Sequence, residues 1–207
     1  MCKKVVLQVF SILVLSVFSL PVSGADLGAF RNYSADMETI SPQGTFTSRI
    51  FTKDKKMRME SSAQGHSSIT IMRPDKKVIW MLMPDSKTYM EMPLDLSRQD
   101  MQSLLNDPNV KVDKESLGSE VVDRHPAKKY HITMTTNGKK EKSGYIWEAT
   151  DLGNLPVKYQ SEDLKITTIW KNVKTGVVAD SVFELPAGYN KMDTGGMGGG
   201  AARRSKK

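Results

Sequence analysis

From residue 33 to residue 92, apolar and polar side chains alternate with a period of two in short runs, and turn-forming residues interrupt the alternation at regular intervals. Successive side chains of a strand point to opposite faces, so this pattern predicts half-buried antiparallel strands. The expected strands run over 33–40, 45–52, 56–61, 68–72, 77–83 and 88–92. Ser41-Pro42-Gln43-Gly44, Ala63-Gln64-Gly65-His66, Arg73-Pro74-Asp75-Lys76 and Pro84-Asp85-Ser86 separate them. Proline presets φ at the first central position of a turn, and aspartate bonds back to the backbone behind it.

The period changes once. Over 94–107, Met101, Leu104 and Leu105 fall at helical spacing behind Ser97, with Asp100 three residues on, and Asp107-Pro108 stops the run. This predicts one amphipathic helix of about ten residues. Alternation resumes over 116–123, 128–136, 143–149, 156–161 and 165–173, with Asn137-Gly138 as the strongest hairpin turn, because it tolerates two positive φ angles. About ten or eleven strands are expected in all. A sheet of that size twists and curls, so the fold class is mainly β, a sandwich or open barrel with the helix over one side.

The first two dozen residues follow a different rule. Lys3 and Lys4 precede an apolar run over 5–20, which ends at Pro21 and the small residues Gly24 and Ala25. This is the layout of a cleaved export signal over 1–24; a spanning helix wants about 20 apolar residues. Cys2 is the only cysteine and lies too far upstream of the cleavage region to be lipidated, so the mature chain is expected to carry no disulfide, thiolate metal site or lipid anchor. Residues 25–192 are expected to form one domain around an ordinary core. The glycine-rich basic segment 193–207 is expected to be a disordered tail, with transient contact to an anionic membrane surface as its candidate role. Net charge is +7, but Lys3, Lys4, Arg203, Arg204, Lys206 and Lys207 supply six of those charges, and the body is near neutral. With no run of aromatics interleaved with Lys or Arg, nucleic acid is not an expected partner.

Candidate chemistry is sparse. There is no Gly-x-Ser-x-Gly elbow, His-Glu-x-x-His pair, phosphate loop or dinucleotide fingerprint. His66, His125 and His131 lie apart, and the acidic pairs sit in charged turns. The chain reads as a non-enzyme with no cofactor. Methionine is the unusual feature: Met57/Met59, Met81/Met83 and Met90/Met92 are each spaced two apart on expected strands, so each pair projects two thioethers onto one face. Core packing, an adaptable apolar surface and a Cu(I) site of soft thioether ligands all remain open. Trp80, Trp147 and Trp170 lie on separate strands beside apolar neighbours, which is the usual setting of core residues.

Four punctuated segments occur in order: Lys77-Val-Ile-Trp-Met-Leu-Met-Pro-Asp-Ser-Lys-Thr-Tyr-Met90, Gly118 with Ala127-Lys-Lys-Tyr130, Trp147 with Leu155-Pro-Val-Lys158, and Phe183-Glu-Leu-Pro-Ala-Gly-Tyr189. Together they resemble exported bacterial proteins of the DUF4412 type and, more remotely, the LolA and LolB lipoprotein-carrier superfamily. The resemblance implies a curved antiparallel sheet forming an incomplete barrel, with one or more short helices over its concave apolar side. It further implies a periplasmic protein that holds a lipid or acyl chain in a groove. Met57, Met59, Trp80, Met81, Met83, Met90, Met92, Met101, Leu104 and Leu105 are its candidate lining residues. The alternatives are a Cu(I)-handling protein and an envelope-stress or structural module that binds a peptide.

Overall fold

The structure is a computed structural model, and it describes residues 32–63, 65–94, 110–136 and 138–192. Among these residues there are twelve strands and no α-helix. The first six strands are β1 (Tyr33–Ser41), β2 (Gly44–Lys53), β3 (Lys56–Ala63), β4 (His66–Arg73), β5 (Val78–Met83) and β6 (Thr88–Pro93). The others are β7 (Val110–Val122), β8 (His125–Thr136), β9 (Lys139–Ala149), β10 (Leu155–Ser161), β11 (Thr167–Thr175) and β12 (Asn190–Lys191). All lie in one sheet in the order β12-β6-β5-β4-β3-β2-β1-β11-β10-β9-β8-β7. β12 and β7 are the outermost strands and do not pair with each other, so the curved sheet is an incomplete barrel.

Two meanders compose it. β1 to β6 and β7 to β11 pair in chain order, and β1 joins them by pairing antiparallel with β11, from Tyr33 opposite Thr175 to Ile40 opposite Thr167. Turn chemistry explains the tight connections. Asp54-Lys55 and Asp123-Arg124 each hold two successive residues at positive φ, 48° and 69° in the first and 44° and 71° in the second. That backbone matches the right-handed twist of the flanking strands. At the Pro74-Asp75 turn, Lys76 N donates to Arg73 O at 3.1 Å and Lys77 N to Pro74 O at 3.2 Å.

The strands expected from alternation are present, with three differences. β7 starts at Val110, earlier than the expected 116, and β9 starts at Lys139, earlier than 143. The added segments are rich in Lys, Asp and Glu, which a strand with one solvated face at the sheet margin accommodates. β12 is only two residues long and pairs parallel with β6, too short to leave a pattern in the sequence. The helix expected over 94–107, the signal over 1–24 and the tail over 193–207 lie outside the described residues, apart from Leu94, which is buried.

Side chains opposite each other in register share a face of the sheet. On one face of β4, β5 and β6 stand Ile69, Ile71, Val78, Trp80, Leu82 and Tyr89, and the chain returning from β11 lies across them. Val178 and Phe183 of this strap are buried there, Phe183 completely, with Val182, Leu185 and Tyr189 packed alongside. Polar groups fasten its margins. Lys53 and Lys56 each donate to Asp180 at 2.8 Å, and Arg58 donates to the Val182 carbonyl at 3.2 Å. The Arg73 side chain is 6% exposed and donates to Asp75, to the Phe183 carbonyl and to Glu184, so its buried charge is fully met. Beyond the strap, Asn190 N donates to Lys87 O at 2.9 Å and Met192 N to Tyr89 O at 2.8 Å.

Candidate ligand-binding face

The other face of the first meander carries the methionines. Reading across β1 to β6, the register gives one row of Tyr33, Thr52, Met57, Met72, Ile79 and Met92, and a second of Ala35, Ile50, Met59, Thr70, Met81 and Met90. Met81 stands directly opposite Met90, so the two expected pairs do face each other across the β5–β6 hairpin. Met83 lies opposite Thr88. Met37, on β1, faces the same way next to Ser48. Eight methionines thus share one surface of the sheet.

Burial along these rows is graded. Ala35, Ile50, Met57 and Met59 are buried in or beside the cluster formed with Tyr33, Met37, Leu155 and Trp170. Met72, Ile79, Met81, Met83 and Met90 are half-buried, and Met92 is 38% exposed. The apolar strip therefore begins in the core at β1 and opens toward β6. Strands stand about 4.8 Å apart, so its open part across β4 to β6 is about 10 Å wide and the whole strip about 24 Å long.

Trp80 is not brought together with these methionines. It neighbours Met81 in the chain and so points to the opposite face, where it is buried against Ile71, Leu82 and Phe183. Its indole N–H donates to Glu91 at 2.9 Å. Met101, Leu104 and Leu105 lie outside the described residues. Sequence reading missed Met72 and Ile79; the Pro74-Asp75 turn sets their register opposite each other and was the available signal.

The perturbed carboxyls that touch the first meander lie around the strap. The Arg73 guanidinium holds the Asp75 carboxyl down at about 2. Lys53 and Lys56 do the same for Asp180, also to about 2. Lys191 and the Trp80 N–H lower Glu91. Burial pushes the Tyr33 phenol up to about 12. The three histidines each meet one carboxylate at separate places: His66 with Asp85, His125 with Asp151 and His131 with Glu162. Among the described residues no group of three or more His, Cys, Asp or Glu side chains is arranged to hold a metal.

A family model described as a domain of unknown function, DUF4412, matches residues 34–159, more than half of the chain. The chain belongs to the DUF4412 family. The match takes in the methionine face and stops short of the strap. Among solved structures, the chain is similar to an uncharacterized conserved protein from Thermus thermophilus at 11% identity, with a TM-score of 0.54 over 89% of this chain and 98% of that one. That likeness is one of fold. It also aligns with a chain of the Pseudomonas aeruginosa MucA/MucB complex, at 14% identity and TM-score 0.45, over 76% of this chain and 56% of that one. A LolA superfamily protein from Nitrosomonas europaea aligns at 10% identity and TM-score 0.32, over 76% of this chain and 91% of that one. A search of the curated proteins gives no match.

Proposed function

We propose that this DUF4412 protein is exported to the periplasm, performs no chemistry, and holds an apolar ligand, a lipid or lipoprotein acyl chain, against the open end of its methionine face. The observation that carries this reading is the half-buried group Met72, Ile79, Met81, Met83 and Met90 with the more exposed Met92, on adjacent strands of an unclosed sheet. Unbranched thioether side chains re-pack around ligands of different shape. Withdrawing an acyl chain from water contributes about 0.8 kcal/mol per methylene, so twelve methylenes give about 10 kcal/mol. An association cost of at least about 4 kcal/mol leaves at most about 6 kcal/mol, a Kd in the tens of micromolar or weaker.

Titration with a fluorescent fatty acid tests the reading. Met83→Leu with Met90→Leu keeps volume and apolarity and is expected to hold affinity within a few fold. Met81→Lys is expected to abolish binding while the fold survives, because the ammonium would occupy the apolar strip. The direct opposition of Met81 and Met90 is also the arrangement that a thioether Cu(I) site would use. The leucine variants separate the two readings, since leucine offers no donor atom. Native mass spectrometry of protein from an envelope fraction reads the mature mass and any bound lipid or copper together. A wild-type chain that retains residues 1–24, or binds neither fatty acid nor Cu(I), would overturn the proposal and leave a peptide-binding module as the better account.

A further inference from the structure

Within β1 to β6, every Asp, Glu, Lys and Arg side chain stands on the strap face of the sheet. Among the described residues, the methionine face of these six strands carries none. Its imidazole, His66, sits at the exposed start of β4 and meets Asp85 at 3.4 Å, so a partner for any charge on it is already present. These strands therefore place no cation over the methionines to pair with a carboxylate or a phosphate.

The polar groups that do stand on this face are hydroxyls. Beyond the rows of Met57 and Met59 the register continues in a third row, with Ser48 between Met37 and Ser61, and Ser61 opposite Ser68. Ile69 stands opposite Leu82, so the next place in the row is Met83. Ser48, Ser61 and Ser68 are half-buried, as is Thr70, two residues along β4. Among the described residues none of these four hydroxyls makes a hydrogen bond. Elsewhere in the sheet such neighbours do bond, Thr39 with Thr168 at 3.1 Å and Ser62 with Ser67 at 3.4 Å.

Side chains directly opposite across paired strands have Cβ atoms about 5 Å apart, and rows two residues apart are separated by about 7 Å along the strand. The hydroxyl row is thus within one headgroup's length of the open strip of Met81, Met83 and Met90. An alkyl chain laid over the serines would take their hydroxyls out of water with no hydrogen bond in exchange. An ionised head placed there would leave water without meeting a counter-ion. An ester that also carries free hydroxyls offers both acceptors and donors and no charge.

We propose that the methionine face takes an uncharged acyl ester of a polyol, of the glyceride type, with its chain over Met81, Met83 and Met90 and its oxygens on Ser48, Ser61 and Ser68. This rests on the acyl-binding reading above and adds to it the class of headgroup and the residues that select it.

Isothermal titration of the protein at pH 7 with 1-monolauroylglycerol and with laurate, both kept below the concentrations at which they aggregate, compares two heads on one chain. The glyceride is expected to bind at least about tenfold more tightly, the equivalent of one or two hydrogen bonds. Ser48→Ala with Ser61→Ala and Ser68→Ala is expected to bring the glyceride down to the affinity of laurate and to leave laurate unchanged, because its carboxylate stays in water. Ser62→Ala, on the strap face, is the control and is expected to bind both ligands as the parent does. Thermal melts identify any variant that fails to fold, and the wild-type comparison stands without the variants. Equal affinity for the two ligands, tighter binding of laurate, or glyceride affinity unchanged in the folded alanine variant would overturn this inference and leave acyl binding in place. Binding of neither ligand by the wild type would overturn the acyl-binding reading and this inference with it.

Discussion

Phe183→Ala tests how the strap is secured. Phe183 is fully buried against Ile71, Trp80, Leu82 and Val178, and truncation removes most of a ring from a packed site. Phe-to-Ala changes in cores cost about 3–5 kcal/mol, the spread reflecting how far the surroundings collapse into the cavity. Collapse is restricted here, because Arg73 grips the Phe183 carbonyl at 3.1 Å and Glu184 at 2.6 Å on one side, and Lys53 and Lys56 grip Asp180 on the other. The cost is therefore expected in the middle of the range, about 4 kcal/mol, a large share of the roughly 5–15 kcal/mol available to a domain. At about 2–4 °C per kcal/mol for a chain of this size, the Tm falls by about 8–16 °C. Urea denaturation followed by tryptophan fluorescence and calorimetry measure the two quantities. A loss under about 1 kcal/mol would show that the strap is not part of the cooperative core, and the reasoning would fail. Phe183→Leu separates packing from shape, and it should leave fatty-acid affinity unchanged because the methionines occupy the other face.

Acid should loosen the same region. Asp75 and Asp180 titrate at about 2 in the folded chain against an ordinary value of 3.8, so their contribution is complete above about pH 4 and is lost as pH falls toward 2. Urea midpoints at pH 7, 4, 3 and 2 measure the loss, and Asp75→Asn with Asp180→Asn should flatten the dependence. A steep loss already between pH 7 and 5 would contradict the assignment. The glycines of the second meander should separate by packing: at Gly144, φ is 132° and an added Cβ would collide with the Gln160 carbonyl, whereas at Gly138 it would meet nothing. Gly144→Ala is expected to cost about 3 kcal/mol or more and Gly138→Ala about 1 kcal/mol, and equal urea midpoints would refute the difference.

Most of the strand architecture is legible in the sequence because alternation and turn chemistry are local. The Pro74-Asp75 turn marks its hairpin, and the consecutive strands follow. Asp54-Lys55 and Asp123-Arg124 form equally tight turns without glycine or proline, and only the flanking alternation exposes them. The methionine pairs are legible as same-face pairs for the same local reason. Their union with Met72 and Met37 depends on register between strands, and the place of Trp80 depends on which face the strap covers. That cover is set by Arg73 meeting Phe183 and Glu184, more than a hundred residues away. No periodicity records such a contact. Ser48, Ser61 and Ser68 are likewise separated in sequence and adjacent only across β2, β3 and β4.

The β1–β11 seam bears on how the chain reaches this state. Hairpins within each meander close loops of a few residues and form on the microsecond scale, whereas the seam joins Met37 to Trp170 and Ile40 to Thr167. Until β11 has been made, β1 presents an unpaired margin with Tyr33, Ala35 and Met37 uncovered, and such a margin templates association with other chains. The strap follows β11, so the Ile71, Trp80 and Leu82 face is open over the same interval. A chain threaded through a membrane from its N-terminus would expose both surfaces for the whole passage. Holding those surfaces apart from other unfolded chains is then a requirement of the topology itself, and refolding yield that falls as chain concentration rises would register it.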